Sequence, residues 1–313
     1  MNRYALVEAG GSKFMCGVAD DRHEFVAVRR IETVAPASTL AAVREFFAEH
    51  SLPTQPFTAA GVASFGPIDL DASSPTYGHL RRTPKPGWSG VDVRSAVTSV
   101  ASVIGLDTDV NAACLAESFW GAGVGRATVA YATIGTGIGV GVVHDRAPIQ
   151  GASHSEIGHI PVARARSDEC FEGLCPYHGD CLEGLASGPA IRHRWGAALD
   201  AVPPDHLAHE IEANYIAQLC VSVIYSFAPE IIILGGGVMQ TPGLIERTRV
   251  CTLRLLGDYW TPAIGRGDLR DYIVSPALEH SGLWGALALA RAAERTTDLG
   301  SALVRTGVNF VRE

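Results

Sequence analysis

The chain has 313 residues and a formal net charge of −8 at pH 7. Its hydrophobic and charged fractions, 47% and 19%, are those of an ordinary globular protein, and its length allows two domains. Because nucleic acids bind basic faces, this charge balance predicts no nucleic-acid partner. We find no signal peptide before the first predicted strand and no apolar run of about 18 residues, so we expect a cytoplasmic protein without a membrane anchor.

The first predicted element is a β-hairpin. Strands over 4–8 and 14–18 flank the sequence AGGSK at 9–13. Backbone N–H groups, a hydroxyl and an ammonium at such a tip can bind a phosphate. The candidate residues are Gly10, Gly11, Ser12 and Lys13. Gly-Gly turns are also common in ordinary hairpins, so the sequence alone leaves both interpretations open.

A strand over 24–31, a helix over 39–49 and a small-residue strand over 59–64 are predicted next. The strand over 59–64 runs into Gly66-Pro67, and ligands bind in crevices at the ends of parallel strands. Residues 72–90 form a long irregular segment, in which Lys85 is expected to be solvated and Trp88 to pack. We predict a helix over 91–104.

Asp109 falls between a predicted strand end and a helix that continues to about Gly121. An aspartate in that place is most often a helix N-cap. The alternative is a general base held at a helix terminus.

A second hairpin repeats the design of the first. A β-branched strand over 129–134 is followed by GTGIGVG at 135–141 and another strand through 143. The candidate phosphate-binding residues are Gly135, Thr136 and Gly137. A strand follows the glycines where a dinucleotide-binding fold has a helix, so a Rossmann fold is disfavoured. Two such hairpins indicate two similar halves.

A metal-binding pattern lies between these hairpins and the C-terminal third of the chain. Cys175, His178 and Cys181 are spaced as C-x-x-H-x-x-C, which brings two thiolates and an imidazole within reach of one zinc ion. Both His159 and Cys170 are candidates for the fourth ligand, and His159 is favoured. Four protein ligands make a zinc site structural. The alternative is a partly buried thiol pair beside a surface histidine.

The same region contains the polar residues Glu156, His159 and Glu183, which we interpret as substrate contacts fixed by the metal loop. The other cysteines, at 16, 114, 220 and 251, lie among apolar residues and are predicted to be core residues.

Further elements complete the chain. We predict helices over 184–199, 207–227, 241–256 and 283–295, and strands over 231–234 and 272–274. Gly235, Gly236 and Gly237 end the first of these strands and allow close approach of a ligand.

These segments resemble the ROK family of sugar kinases, and specifically its bacterial fructokinase branch. The resemblance rests on EAGGSK (8–13), SFGPID (64–69), SPTYG (74–78), TPKPGW (83–88), TDVNAA (108–113), IGTGIG (134–139), SEIGHI (155–160), CPYHGDCLEGLASGPAI (175–191) and ILGGGV (233–238). It implies an α/β fold of the actin-like ATPase type, related to ribonuclease H and duplicated, in two domains with an interdomain cleft. The domains are expected to comprise 1–117 with about 283–313, and 118–282 with the zinc-binding loop.

The resemblance also implies functional roles. Asp109 matches the family's catalytic base, and the glycines of both hairpins match its phosphate loops. Gly235–Gly237 match its adenosine wall. The expected sugar contacts are Gly66, Pro67, Thr108, Glu156, His159 and Glu183, and the expected zinc ligands are His159, Cys175, His178 and Cys181. ATP, Mg²⁺, a structural zinc and a homodimer are implied as well.

Some positions depart from the wider family. Glu8 and Ser12 replace its usual Asp and Thr, and His178 replaces a Cys. Thr108 replaces an Asn that contacts the sugar in glucokinases, which argues against glucose as the preferred acceptor. We therefore expect phosphorylation of D-fructose to fructose 6-phosphate.

Four rival functions follow from the same residues. One is a kinase for mannose, glucose or an N-acetylated amino sugar, and a second is a zinc-held sugar-binding protein without activity. A sugar-responsive repressor of the family is disfavoured because the first hairpin begins at Tyr4, which leaves no room for a helix-turn-helix domain before it. A metallohydrolase is disfavoured because a closed zinc site has no position for water.

Overall fold

A computed structural model describes residues 2–257, 259 and 267–298. The chain divides into two compact units. The first contains the residues up to Ala116, Arg146–His154 and the segment from Leu278 onward, and the second contains Glu117–Asp145 and Ser155–Ala277. The domain prediction differs in placing 146–154 and 278–282 in the second unit and Glu117 in the first, and its residues 299–313 lie outside the described part of the chain. No helix in the described ranges has both the length and the apolar composition needed to cross a bilayer.

The first unit is built on a five-stranded mixed sheet. Its strands are β1 (Arg3–Ala9), β2 (Lys13–Asp20), β3 (Phe25–Glu32), β4 (Ala59–Ser64) and β5 (Ile104–Thr108). They lie in the order β3-β2-β1-β4-β5, with β2 antiparallel to both of its neighbours and β1, β4 and β5 parallel.

The second unit repeats this arrangement. Its strands are β6 (Thr128–Ile134), β7 (Ile138–His144), β9 (Ile231–Gly235) and β10 (Ile273–Val274), and the two-residue strand β8 (Ala147–Pro148) lies in the segment grouped with the first unit. Four of them follow the order β10-β9-β6-β7, with β7 antiparallel to β6 and the others parallel. This order and these directions match those of β5-β4-β1-β2, so the duplication predicted from the two hairpins is confirmed.

Seven α-helices accompany the strands in the described part of the chain. They are α1 (Pro36–Glu49), α2 (Asp109–Trp120), α3 (Leu182–Ala186), α4 (Gly188–Trp195), α5 (Ala208–Phe227), α6 (Leu244–Leu256) and α7 (Ser281–Asp298). The central strands β4 and β9 are buried along their whole length, as expected for continuous apolar runs in a covered parallel sheet. Cys16, Cys114, Cys220 and Cys251 are buried, which confirms that prediction.

Two predicted helices are wrong. Residues 91–104 contain only a 3-10 helix, Val93–Ala96, and Ile104 already belongs to β5. Asp92 accepts a hydrogen bond from the Arg94 N–H at 2.9 Å, which starts the short turn, and the β-branched residues that follow disfavour a longer helix. The helix predicted over 184–199 is divided into α3 and α4 by Ser187, whose backbone is extended and which precedes a proline in the first turn of α4.

Candidate active site and metal centre

The tip of the first hairpin is tied to the segment after β3. Gly10 N–H donates to the Lys13 carbonyl at 2.9 Å, which closes the turn. The Thr33 hydroxyl donates to the Gly10 carbonyl at 2.8 Å, and the Thr33 N–H donates to the Ser12 carbonyl at 3.1 Å. Ser12 and Lys13 are exposed. A fixed backbone and exposed polar side chains suit the binding of an anion such as a phosphate.

Glu8 is the second-last residue of β1 and lies next to this hairpin. Burial raises the pKa of Glu8, and the charges of Lys13 and His280 lower it to a smaller extent. A cation close to this carboxylate therefore relieves the cost of keeping it ionised.

At the end of β4, Gly66 lies against the His154 imidazole. A β-carbon on Gly66 would stand 3.3 Å from His154 Cε1. The Ile68 N–H donates to His154 Nε2 at 3.2 Å, so that nitrogen is the unprotonated one. The turn at Gly66-Pro67 is thus held by a histidine that the sequence analysis did not single out.

Thr108, rather than Asp109, is the N-cap of α2. The helix begins at Asp109, and the Thr108 hydroxyl accepts a hydrogen bond from the Asn111 N–H at 3.2 Å. Asp109 is half-buried in the first turn, where its carboxylate accepts from the Val110 N–H at 2.9 Å. The capping interpretation of Asp109 is therefore wrong, because the helix starts earlier than the hydrophobic pattern indicated.

Asp107 is a buried carboxylate that the sequence analysis missed. Its Oδ1 accepts from the Thr108 N–H at 2.7 Å and from Asn111 Nδ2 at 2.8 Å, and its Oδ2 accepts from Gln150 Nε2 at 2.8 Å. Burial raises the pKa of Asp107 to about 6, although the hydrogen bonds and the nearby His154 imidazole lower it. The cluster of polar residues in LDTDVN is the only signal in the sequence, since Gln150 is distant along the chain.

In the second unit, the glycine hairpin lies beside the triple-glycine end of β9. Gly135 N–H donates to the Gly137 carbonyl at 2.9 Å and closes the turn. Gly236 has a φ of +92°, and a β-carbon there would stand 2.3 Å from the Ile134 carbonyl oxygen. Only glycine fits this contact between β6 and β9. A built β-carbon on Gly135 would stand 3.9 Å from the Gly237 nitrogen, so the two predicted nucleotide segments are neighbours.

Four candidate metal ligands come together in the same unit. One donor atom from each of His159, Cys175, His178 and Cys181 lies within 4.8 Å of the others. The Cys175 sulfur is 3.7 Å from His159 Nδ1 and 3.6 Å from His178 Nδ1, and Cys181 Sγ is 3.4 Å from His159 Nδ1. Cys170, the alternative fourth ligand, is exposed and lies outside this group.

These distances fit zinc. Bond lengths of about 2.3 Å to sulfur and about 2.0 Å to nitrogen at tetrahedral angles separate the two kinds of ligand atom by about 3.6 Å. Burial and the neighbouring Cys175 raise the pKa of Cys181 to about 11. A bound divalent cation would stabilise both thiolates and remove that penalty.

Glu156 and Glu183 differ in their surroundings. Glu156 is exposed, immediately before the 3-10 helix Ile157–His159. Glu183 lies in the first turn of α3, where its Oε2 accepts from the Ile138 N–H at 2.8 Å and its Oε1 lies 3.9 Å from His159 Nε2. The predicted sites thus fall into two sets, with Gly66, Thr108 and Asp109 in the first unit and the metal ligands with both glutamates in the second.

Known proteins resemble this chain over most of its length. The sequence profile of the ROK family matches residues 4–293. A fructokinase of Zymomonas mobilis is 45% identical over 301 residues, which cover 93% of this chain and 97% of that protein. A fructokinase of Pediococcus pentosaceus is 39% identical over 289 residues, covering 92% and 97% of the two chains.

Solved structures carry the same fold. A ROK hexokinase from Thermus thermophilus has a TM-score of 0.71 at 24% identity and covers 95% of this chain and 99% of its own. A ROK family glucokinase from Streptomyces griseus, solved with glucose and AMPPNP, has a TM-score of 0.71 at 23% identity, covering 93% and 99%. The predicted actin-like ATPase fold is confirmed.

Proposed function

This chain belongs to the ROK family, and we propose that it is an ATP-dependent kinase that converts D-fructose to fructose 6-phosphate. The observation that carries the proposal is its identity of 45% and 39% with two fructokinases, each matched over more than nine-tenths of its length. An enzyme of this class transfers the γ-phosphoryl group of MgATP to a sugar hydroxyl.

We assign the base role to Asp109. Phosphoryl transfer depends on positioning and on neutralising charge, so the protein has to supply little covalent chemistry. A carboxylate that accepts the hydroxyl proton as the oxygen attacks phosphorus is sufficient. The place of Asp109 in the first turn of α2 supports this role, because Thr108 makes the cap and Asp107 anchors the strand end before it.

The remaining roles follow from the two hairpins and the polar residues around them. We assign phosphate binding to residues 10–13 and 135–137, and adenosine binding to residues 235–237. We assign contacts with the sugar to Gly66, Pro67, Thr108, Glu156, His159 and Glu183. Support comes from backbone N–H groups in both turns and from carboxylates and an imidazole, which are the groups that recognise hydroxyls.

We assign a structural zinc to His159, Cys175, His178 and Cys181. The separations of 3.4–3.7 Å between sulfur and nitrogen atoms support this assignment. When bound, zinc would hold the loop as a fixed support; four protein ligands leave it no open position for catalysis.

Compartment, assembly and partners are part of the proposal. We propose a cytoplasmic homodimer that binds small molecules and no nucleic acid. The formal charge of −8 supports the exclusion of nucleic acid. Sedimentation velocity measures the assembly state, and a single species with the mass of one chain would contradict the dimer.

The proposal is tested by measuring ADP release with MgATP on fructose, mannose, glucose and N-acetylated amino sugars. We expect the highest kcat/KM on fructose, by about tenfold or more over the others, because a site built to pair with one hydroxyl pattern rejects another. A preference for another hexose would replace fructose as the acceptor within the same enzyme class. Folded, zinc-loaded protein that turns over none of the sugars would refute the kinase assignment and favour a zinc-held sugar-binding protein.

A further inference from the structure

The second hairpin is held by segments on both sides of the candidate metal centre. On one side, the Ile138 N–H donates to Glu183 Oε2 at 2.8 Å, and Gly188 N–H donates to the Gly135 carbonyl at 2.7 Å. Glu183 lies two residues after the ligand Cys181. The first residue of the turn, Gly135, and the first residue of β7, Ile138, are therefore held by the segment that follows the last metal ligand.

On the other side, Gly158 packs directly on the same residue of the hairpin. A β-carbon on Gly158 would stand 1.8 Å from the Ile138 carbonyl oxygen, so the two backbones touch. Gly158 precedes the ligand His159. Both peptide groups of Ile138 are thus contacted by residues within two positions of a candidate ligand.

Glu183 connects the two sides. Its Oε1 lies 3.9 Å from Nε2 of His159, and the other ring nitrogen, Nδ1, faces the sulfur atoms of Cys175 and Cys181. When Nδ1 of a histidine binds a metal, Nε2 keeps the proton and points it at a carboxylate, which fixes both groups. The Glu183 carboxylate thus accepts a hydrogen bond from the hairpin through Oε2 and lies beside the metal ligand with Oε1.

We propose that Glu183 is a positioning residue for the nucleotide, which transmits occupancy of the metal centre to the Ile138 N–H and so to the phosphate-binding turn. The inference rests on the phosphate role proposed above for residues 135–137. This role of Glu183 is separate from its proposed sugar contact, because it concerns nucleotide binding and requires no bound sugar. Loss of the metal frees His159 and Glu183 to move, and the hairpin loses the contact that holds its backbone.

The test measures MgADP affinity by calorimetry without sugar, in zinc-loaded protein and after a zinc-selective chelator. Chelation should weaken MgADP binding of the wild type about fivefold to tenfold, as expected for one lost hydrogen bond. Glu183→Ala should weaken it by a similar factor, and chelation should then add little. Glu183→Gln keeps an acceptor for the Ile138 N–H and should bind MgADP like the loaded wild type. The matched control is Glu172→Ala, an exposed glutamate of the metal-binding segment with no assigned role, which should leave MgADP affinity unchanged.

Hydrogen exchange can be measured in the wild type, so it needs neither enzyme activity nor a variant that folds correctly. In the wild type, the Ile138 amide should exchange faster after chelation, whereas amides in the middle of α5 should not change. Equal MgADP affinity in Glu183→Ala and wild type, or an Ile138 amide unaffected by chelation, would overturn the inference. Loaded wild type that binds no MgADP would instead refute the proposed kinase, and the exchange experiment would still decide whether the metal and the hairpin are linked.

Discussion

The wild-type protein is expected to lose stability as pH rises because Asp107 ionises. Asp107→Asn should abolish this pH-dependent loss. The Asp107 carboxyl is buried among Asn111, Gln150 and the His154 imidazole, and burial raises its pKa to about 6. In an unfolded chain an aspartate titrates near about pH 4. Between these values the folded protein holds a proton that the unfolded chain has released, so the free energy of unfolding falls as pH rises.

The size of this effect follows from the two pKa values. One pKa unit corresponds to about 1.4 kcal/mol, so ionising Asp107 in the folded protein removes about 3 kcal/mol of stability between about pH 4 and pH 7. Asparagine has almost the same shape and carries no charge, and the amides of Asn111 and Gln150 can rotate to pair with it. The unfolding free energy of Asp107→Asn should therefore rise relative to wild type across this range.

Urea denaturation at a series of pH values measures the difference. Asp69→Asn is the control, because hydrogen bonds from Thr76 and Ser74 lower the pKa of Asp69. The ionised Asp69 carboxylate stabilises the folded protein above about pH 4, and this contribution is lost only as pH falls below that value. An Asp107→Asn difference that stays constant from pH 4 to pH 7.5 would refute the reasoning.

Two further predictions concern stability. Thr108→Ala should cost about 1 kcal/mol of unfolding free energy through loss of the α2 cap, whereas Thr108→Ser should retain most of it; equal urea midpoints for both variants would contradict the cap. Asp168→Ala should cost about 3–5 kcal/mol, because it leaves Arg194, 3.3 Å away and almost fully buried, without its partner. Asp180→Ala, which breaks an exposed pair with Arg164, should cost less than about 1 kcal/mol, and similar losses for both aspartates would contradict this distinction.

The sequence was most informative where local chemistry determines structure. Each glycine hairpin is a short-range feature, and the C-x-x-H-x-x-C spacing together with His159 identified the four donors that lie together. The small residues at 59–64 and the continuous apolar run at 231–234 predicted the strands that form β4 and β9. In these cases the residues that interact are close in sequence or share one simple pattern.

Prediction failed where a residue's partner is distant or a local bond interrupts a pattern. The apolar spacing over 91–104 resembles a helix, but the Asp92 side chain and the β-branched residues favour a short turn. The role of Asp107 was not predicted because its partner Gln150 is distant in sequence and lies next to it only in the folded chain. The contact between Glu183 and Ile138 was missed for the same reason, since 45 positions separate the two residues.

The central claim is that Asp109 accepts the proton of a sugar hydroxyl during phosphoryl transfer. The most direct measurement is kcat for fructose phosphorylation by Asp109→Asn, with Asp71→Asn, an exposed aspartate of the same unit, as control. Loss of a general base should lower kcat by about 10²–10⁴-fold while MgADP affinity stays within about twofold of wild type. A kcat within about tenfold of wild type would mean that the base is another residue and that Asp109 is not catalytic.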